Sequence, residues 1–150
     1  MNAPQAVRAL FGAIDAGDLI AARAAMSDRF RRASTRSPEP MGPDAWLDGY
    51  RPLVAAFPGM SHAIEDLEGN ETDASGAFRV RGVHRGRLII PALGIDLAPT
   101  GRAFELPREP FRARARDGLV TAMDVENPPG GGLDGVLDQI GGAEPPTGSS

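Results

Sequence analysis

The chain contains no cysteine and no lysine. Without cysteine there can be no disulfide, thiolate metal site or cysteine nucleophile. All sixteen basic residues are arginine, a bias we ascribe to a GC-rich genome and not to a binding role. The run Gly130-Gly131-Gly132 follows two prolines and lacks the lysine of a phosphate-binding loop. Histidine occurs only twice, which argues against an all-histidine metal site, so no metal is expected. No apolar run approaches the ~20 residues that span a bilayer. The start, Met1-Asn2-Ala3-Pro4-Gln5, has neither the basic segment nor the apolar run of a secretory signal. A cytoplasmic protein without membrane partners is the expectation.

What is present describes one globular unit. Hydrophobic residues make up 41% and charged residues 24%, an ordinary globular balance. A chain of 150 residues is one domain by length and buries ~68–70% of its unfolded surface. The domain is expected over residues 1–142, with 143–150 as a flexible tail.

Val7, Leu10, Phe11 and Ile14 have the spacing of an amphipathic helix. Gly17 suits its end, and Asp18 suits the N-cap of a second helix over Leu19–Met26. Residues 31–43, rich in Arg, Ser and Pro, read as a loop. Pro43 and Asp44 open a third helix whose face carries Trp46, Leu47, Tyr50, Leu53, Val54 and Phe57. Pro52 should kink or split it. From residue 62 the period changes to two, with strands expected near 62–68, 77–90, 102–106, 109–117 and 119–127. A bend is expected at Pro91 and Gly94. A short helix with Leu133, Val136, Leu137 and Ile140 closes the chain. Helices followed by strands predict an α+β fold with a largely antiparallel sheet.

Alternation sorts the strands into two faces. Phe78, Val80, Gly82, His84, Gly86 and Leu88 fall on one side, and Arg79, Arg81, Val83, Arg85 and Arg87 on the other. Phe111, Ala113 and Ala115 oppose Arg112, Arg114 and Arg116 in the same way. The small residues on the apolar side leave space, so the sheet should enclose a pocket. Asp117-Gly118 is a strong hairpin signal. A regular two-residue loop pairs Phe111 with Asp124 and turns Asp124 inward. A carboxyl there would have its pKa raised by desolvation, as suits a general acid or base; the alternative is a solvated strand end. Glu126 shares that face, ~7 Å away and too far for a dyad. His62 reads as a surface or edge residue. The arginine face bears no interleaved aromatics, and Glu65, Asp66, Glu68, Glu105 and Glu109 can neutralise it. It reads as a solvated face or a dimer interface, not a nucleic-acid site.

Six ordered stretches resemble the SnoaL-like polyketide cyclases of the nuclear-transport-factor-2-like superfamily. They are Phe11-Gly12-Ala13-Ile14-Asp15-Ala16-Gly17-Asp18, Ala56-Phe57-Pro58-Gly59, Gly82-Val83-His84-Arg85-Gly86, Pro99-Thr100-Gly101-Arg102, Asp117-Gly118-Leu119-Val120 and Leu137-Asp138-Gln139-Ile140-Gly141. The resemblance implies a cone-shaped sheet wrapped over N-terminal helices around a hydrophobic cavity, commonly in a homodimer. It also implies cofactor-free aldol cyclisation, with an aspartate on the last strand and a histidine on the strand before it. Carried across by position, the histidine falls on Phe111 and the aspartate on Val125. Asp124 could take the role only through a one-residue bulge. The expected activity is acid/base cyclisation or isomerisation of a hydrophobic, ketone-bearing small molecule. Asp124 and His84 would be catalytic, and Phe11, Trp46, Tyr50, Phe57, Phe78, Val80, Phe111, Ala113 and Glu126 would line the pocket. The alternative is a non-catalytic ligand-binding or dimerisation module. Hydrolysis of an epoxide or ester would need a water held between two carboxylates.

Overall fold

A computed structural model describes residues 1–35 and 37–141; the expected tail, 143–150, lies outside them. Helix α1 (Ala3–Asp15) is opened by a capping box. Asn2 Oδ1 accepts from the Gln5 N–H at 2.9 Å, and Gln5 Oε1 accepts from the Asn2 N–H at 2.8 Å. Val7, Leu10, Phe11 and Ile14 are buried on one face, a burial worth about 1.5–3 kcal/mol for each large side chain. The Asp18 carboxylate caps the short α2 (Leu19–Ala24).

The chain then enters a strand, β1 (Met26–Ser34), where a helix end and a loop were expected. Only Met26 and Phe30 are large and apolar here, and an irregular register separates them from the rest of the strand. These two features hide the period of two. Helix α3 (Pro43–Ala56) runs unbroken through Pro52, so the expected split does not occur. After it come β2 (Ser61–Gly69) and β3 (Asp73–Val83). The long second strand region stops at Val83. Its continuation forms a separate hairpin, β4 (Leu88–Ile90) and β5 (Ile95–Leu97), joined by a 3₁₀ turn at Pro91–Leu93. The chain closes with β6 (Ala103–Glu105), β7 (Glu109–Arg116), β8 (Leu119–Val125) and α4 (Gly132–Ile140).

The main sheet runs β1-β8-β7-β3-β2, and β6 continues beside the far end of β3. Among the described residues, only the β1–β8 pairing of this sheet is parallel. The result is an α+β fold whose sheet curls as a half-barrel around the helices. α1 packs across β2, β3, β7 and β8, so it fills the space that Ala113 and Ala115 were expected to leave open. Phe78 stacks on Phe111 at 4.3 Å, and Phe11 meets Phe78 at 4.5 Å in that filled region. Gly82 leaves no hollow either: a Cβ there would come within 2.9 Å of the Phe104 ring.

The Asp117-Gly118 turn forms as expected, both residues having positive φ and Arg116 pairing with Leu119. A bulge then shifts β8 between Arg114 and Ala115. Phe111 consequently faces Val125, and Asp124 faces Arg112. One inserted residue exchanges the two faces of a strand.

Candidate functional site

The bulge moves both carboxylates expected in the pocket to the outside. Asp124 and Glu126 are exposed and border a cleft of about 790 Å³ on the outer sheet face, with Arg108 and Arg112. The positions that would carry the resemblance's aspartate and histidine, Val125 and Phe111, are both buried and apolar. The arginine face, expected to be a solvated face or a dimer interface, is the outer face of the sheet in the single chain, with Arg81, Arg112, Arg114 and Arg116 exposed. Arg79 and Arg108 pair with Glu65 at 3.2 and 3.3 Å, and Arg108 also pairs with Asp66 at 2.7 Å.

His84 is fully buried, but it does not line the inner cavity. Its Nδ1 accepts from the Thr100 N–H at 3.2 Å and lies 3.0 Å from Thr100 Oγ1. Its backbone exchanges bonds with Arg102 and Gly101. Next to it, the Gly86 N–H donates to the Ala56 carbonyl at 3.0 Å, and a Cβ on Gly86 would strike the Ala55 carbonyl. The Gly-x-His-x-Gly segment therefore ties the Pro-Thr-Gly-Arg turn and the end of α3 to the sheet. Burial holds the His84 pKa below its ordinary value, with a smaller opposing effect from the Gly86 backbone.

The inner cavity, about 270 Å³, lies under α3 and α4. Of the expected lining residues, Trp46, Tyr50, Phe57 and Val80 border it. Phe11, Phe78, Phe111 and Ala113 are buried in the neighbouring core. The wall also contains Arg32, His62, Glu109 and Asn127, none of which the pattern reading placed there. Glu109 points inward and is 5% exposed, so it does not neutralise the outer arginines. α4 contributes Gly132, Leu133 and Val136.

His62, expected as a surface or edge residue, lies on the edge strand β2 but is buried, and it is the centre of a hydrogen-bonded chain. It pairs with Val80 across the sheet, and its N–H donates to Asp15 Oδ2 at 2.8 Å. Asp15 Oδ1 lies 2.7 Å from Nδ1. A carboxylate only accepts, so Nδ1 carries the proton and Nε2 of the neutral ring is the acceptor. The Tyr50 hydroxyl lies 3.1 Å from Nε2 and donates to it. Although the ring borders the cavity, the phenol lies deep in the protein. Burial pushes its pKa well above the ordinary tyrosine value; Arg32 opposes the rise, and Glu109 and Asp15 add to it. Tyr50 thus remains a hydrogen-bond donor over the working pH range. Among the described residues, no cluster of three His, Asp or Glu side chains could hold a metal ion.

The chain was readable for this site at two points. His62 lies two residues before Ile64 on the inward side of β2, and Asp15 is an acid in the last turn of a helix, where the macrodipole disfavours it. Arg32 gave no signal, because nothing in its surroundings marked a strand.

The curled sheet over N-terminal helices, with a side-chain cavity between, defines a nuclear-transport-factor-2-like domain. Within that class the chain belongs to the SnoaL-like domain family, whose model matches residues 7–123. Among solved structures, it is similar to IdmH of Streptomyces antibioticus, described as a candidate polyketide cyclase. Identity there is 22% over 83% of this chain and 91% of that one, with a TM-score of 0.65. A candidate SnoaL-like polyketide cyclase from Jannaschia sp. CCS1 is 21% identical over 95% and 92% of the two chains, with a TM-score of 0.68. AclR of Streptomyces galilaeus, a candidate hydroxylase, is 16% identical over 94% and 82%, with a TM-score of 0.72. At these identities the likeness shows the fold alone. No curated protein matches the chain. Among the described residues no helix is long and apolar enough to cross a membrane.

Proposed function

We propose that the inner cavity performs acid/base chemistry on a small, ketone-bearing, hydrophobic molecule, with His62 and Tyr50 as its catalytic residues. The observation that carries this is the Asp15–His62–Tyr50 chain, whose imidazole and phenol border the cavity with Trp46, Leu53, Phe57, Val80 and Phe104. A substrate carbonyl replaces His62 as the acceptor of the Tyr50 hydroxyl. The freed Nε2 then takes a proton from the carbon next to that carbonyl. The C–H electron pair becomes the enolate, whose oxygen is held by Tyr50, and Asp15 balances the imidazolium. The enolate either attacks a second carbonyl, closing an aldol ring whose new alkoxide takes the proton back from the imidazolium, or takes that proton at another carbon, completing an isomerisation.

The cavity, at about 270 Å³, is slightly below the ~300–1,000 Å³ usual for ligand pockets. This favours a substrate of one or two rings over a larger polycyclic one. The test is deuterium incorporation into β-tetralone in heavy water, followed by NMR. The wild-type chain should exceed the buffer rate, and His62→Ala should be slower by about 10²–10⁴, the usual contribution of one acid/base group. Exchange no faster than buffer, or unchanged in His62→Ala, removes the reading.

A second reading is favoured by one observation: Phe111 and Val125 replace the family's acid/base pair with an apolar contact. Under it the cavity binds a ligand without turnover. Both readings are compatible with a homodimer formed through the arginine-bearing outer face, which sedimentation would show.

A further inference from the structure

Three charged groups bear on the inner cavity, and two of them accept hydrogen bonds from the protein. Asp15 gives one oxygen to the His62 N–H and the other to Nδ1. Glu109 Oε2 accepts from Asn127 Nδ2 at 2.9 Å and from the Gly132 N–H at 3.0 Å. Arg32 differs from both. Its Nε is buried with no hydrogen-bond partner, and no carboxylate of a described residue lies within the 4.0 Å of an ion pair. A guanidinium cannot escape this by losing its proton. Arg32 as a whole is half-buried, so the desolvated part is the Nε–H, and a buried donor left without an acceptor is costly.

Arg32 is also held in place. Its backbone exchanges two hydrogen bonds with Met41, at 2.9 and 2.8 Å. The guanidinium lies over the Trp46 ring, 5.9 Å from its centroid, and Trp46 stacks in turn on Phe30 at 5.2 Å. A planar cation resting on an aromatic face in a cavity wall is arranged for a carboxylate, which meets the guanidinium fork with two parallel bonds.

We infer that Arg32 is the receptor for a carboxylate on the cavity's ligand, so that the molecule bound there is a small aryl or cyclic keto acid. This rests on the ketone reading above and adds a second anchor to it: the ketone oxygen meets Tyr50, and the carboxylate meets Arg32. The division of labour gives a role to a guanidinium whose Nε the protein leaves without a partner. A charged anchor fixes the substrate's direction, while the donor at Tyr50 acts on the reacting carbonyl.

The test compares benzoylpropionate with its uncharged amide, benzoylpropionamide, by calorimetric titration of the full chain at neutral pH. The two have nearly the same shape and differ in charge. The wild type should bind the acid about 10–100-fold more tightly than the amide, the range expected of a charge-assisted bond. Arg32→Gln and Arg32→Met should bring that ratio close to one, and Arg32→Lys should keep part of it. Thermal melting of each variant shows that it is folded. Equal binding of the two probes by the wild type, binding of neither, or a ratio that survives in both Arg32→Gln and Arg32→Met overturns the inference. So does a lower melting temperature with the ratio intact, because Arg32 would then serve only the fold. The outcome is separable from the proposed chemistry. A charge preference that depends on Arg32, without deuterium exchange, would leave a keto-acid-binding module and remove only the enzyme.

Discussion

Asp15 meets His62 twice, through the backbone N–H at 2.8 Å and through Nδ1 at 2.7 Å. β2 is an edge strand of the main sheet, and the His62 N–H is a donor that the next strand would otherwise take. One carboxylate at the end of α1 therefore satisfies the edge, joins helix to strand and sets the tautomer of the imidazole. Its place in the last helical turn is electrostatically unfavourable, and that local cost is offset by these three roles. Asp15→Ala removes two hydrogen bonds to a charged acceptor. It should lower stability by about 1.5–3 kcal/mol in urea unfolding and slow deuterium exchange at least tenfold. Unchanged stability would show that the contact does not hold α1 to β2.

Asp124 gives the opposite expectation. It lies outside, across from Arg112, because of the bulge that sets Val125 against Phe111. Asp124→Asn should change stability by no more than about 0.5 kcal/mol, as surface substitutions usually do, and should leave deuterium exchange at the wild-type rate. A loss of 10²-fold or more, the scale of a missing acid/base group, would move the chemistry to the outer cleft.

The two faces of β3 and β7 were legible from alternation alone, since each residue's side follows from a period of two and a buried face. The hairpin at Asp117-Gly118 was legible for the same reason, because two positive-φ positions favour those residues. The bulge in β8 was not, and it alone reversed the side of Asp124. Register errors of one residue are invisible to composition but decisive for a site. β1 was hidden because the positions that alternate with Phe30 are Arg32, which borders the inner cavity, and Ser34, a buried polar residue, so no apolar period of two is visible. His84 was read as part of the site because its strand face is inward. Inward here means packed against Phe57, 5.3 Å away, and bonded to Thr100. The motif that points to the family thus carries the fold, and the cavity chemistry is assembled from residues far apart in the chain.

His84 also makes stability depend on pH. Its ordinary value is 6.5, and burial lowers it in the folded protein. The unfolded chain thus binds the proton more readily than the folded one, and protonation favours unfolding. The stabilisation is complete above about pH 6.5 and is lost as the pH falls through the lower folded value. His84→Gln keeps an acceptor for the Thr100 N–H but cannot take up a proton in this range. Its urea midpoint should drop less than that of the wild type between pH 8 and pH 5. An equal drop in both proteins would place the acid sensitivity elsewhere.

Glu109 holds the roof of the cavity. Its Oε2 ties the N–H of Gly132, at the start of α4, and the side chain of Asn127, before the turn at 128–131. At the other end of α4, Gln139 bonds both backbone groups of Glu105, at 2.8 and 2.7 Å. These two clamps set Leu133 and Val136 against the cavity. Glu109→Ala leaves the Gly132 N–H and the Asn127 amide without their acceptor. That should cost about 1.5–3 kcal/mol, the range for bonds to a charged group. Because Gln139 still anchors the far end, the loss should be local. Amide exchange should quicken most over residues 132–136, less near 139, and little in β7 and β8. If exchange rose equally across the sheet, Glu109 would belong to the global core and α4 would not be a separately latched roof.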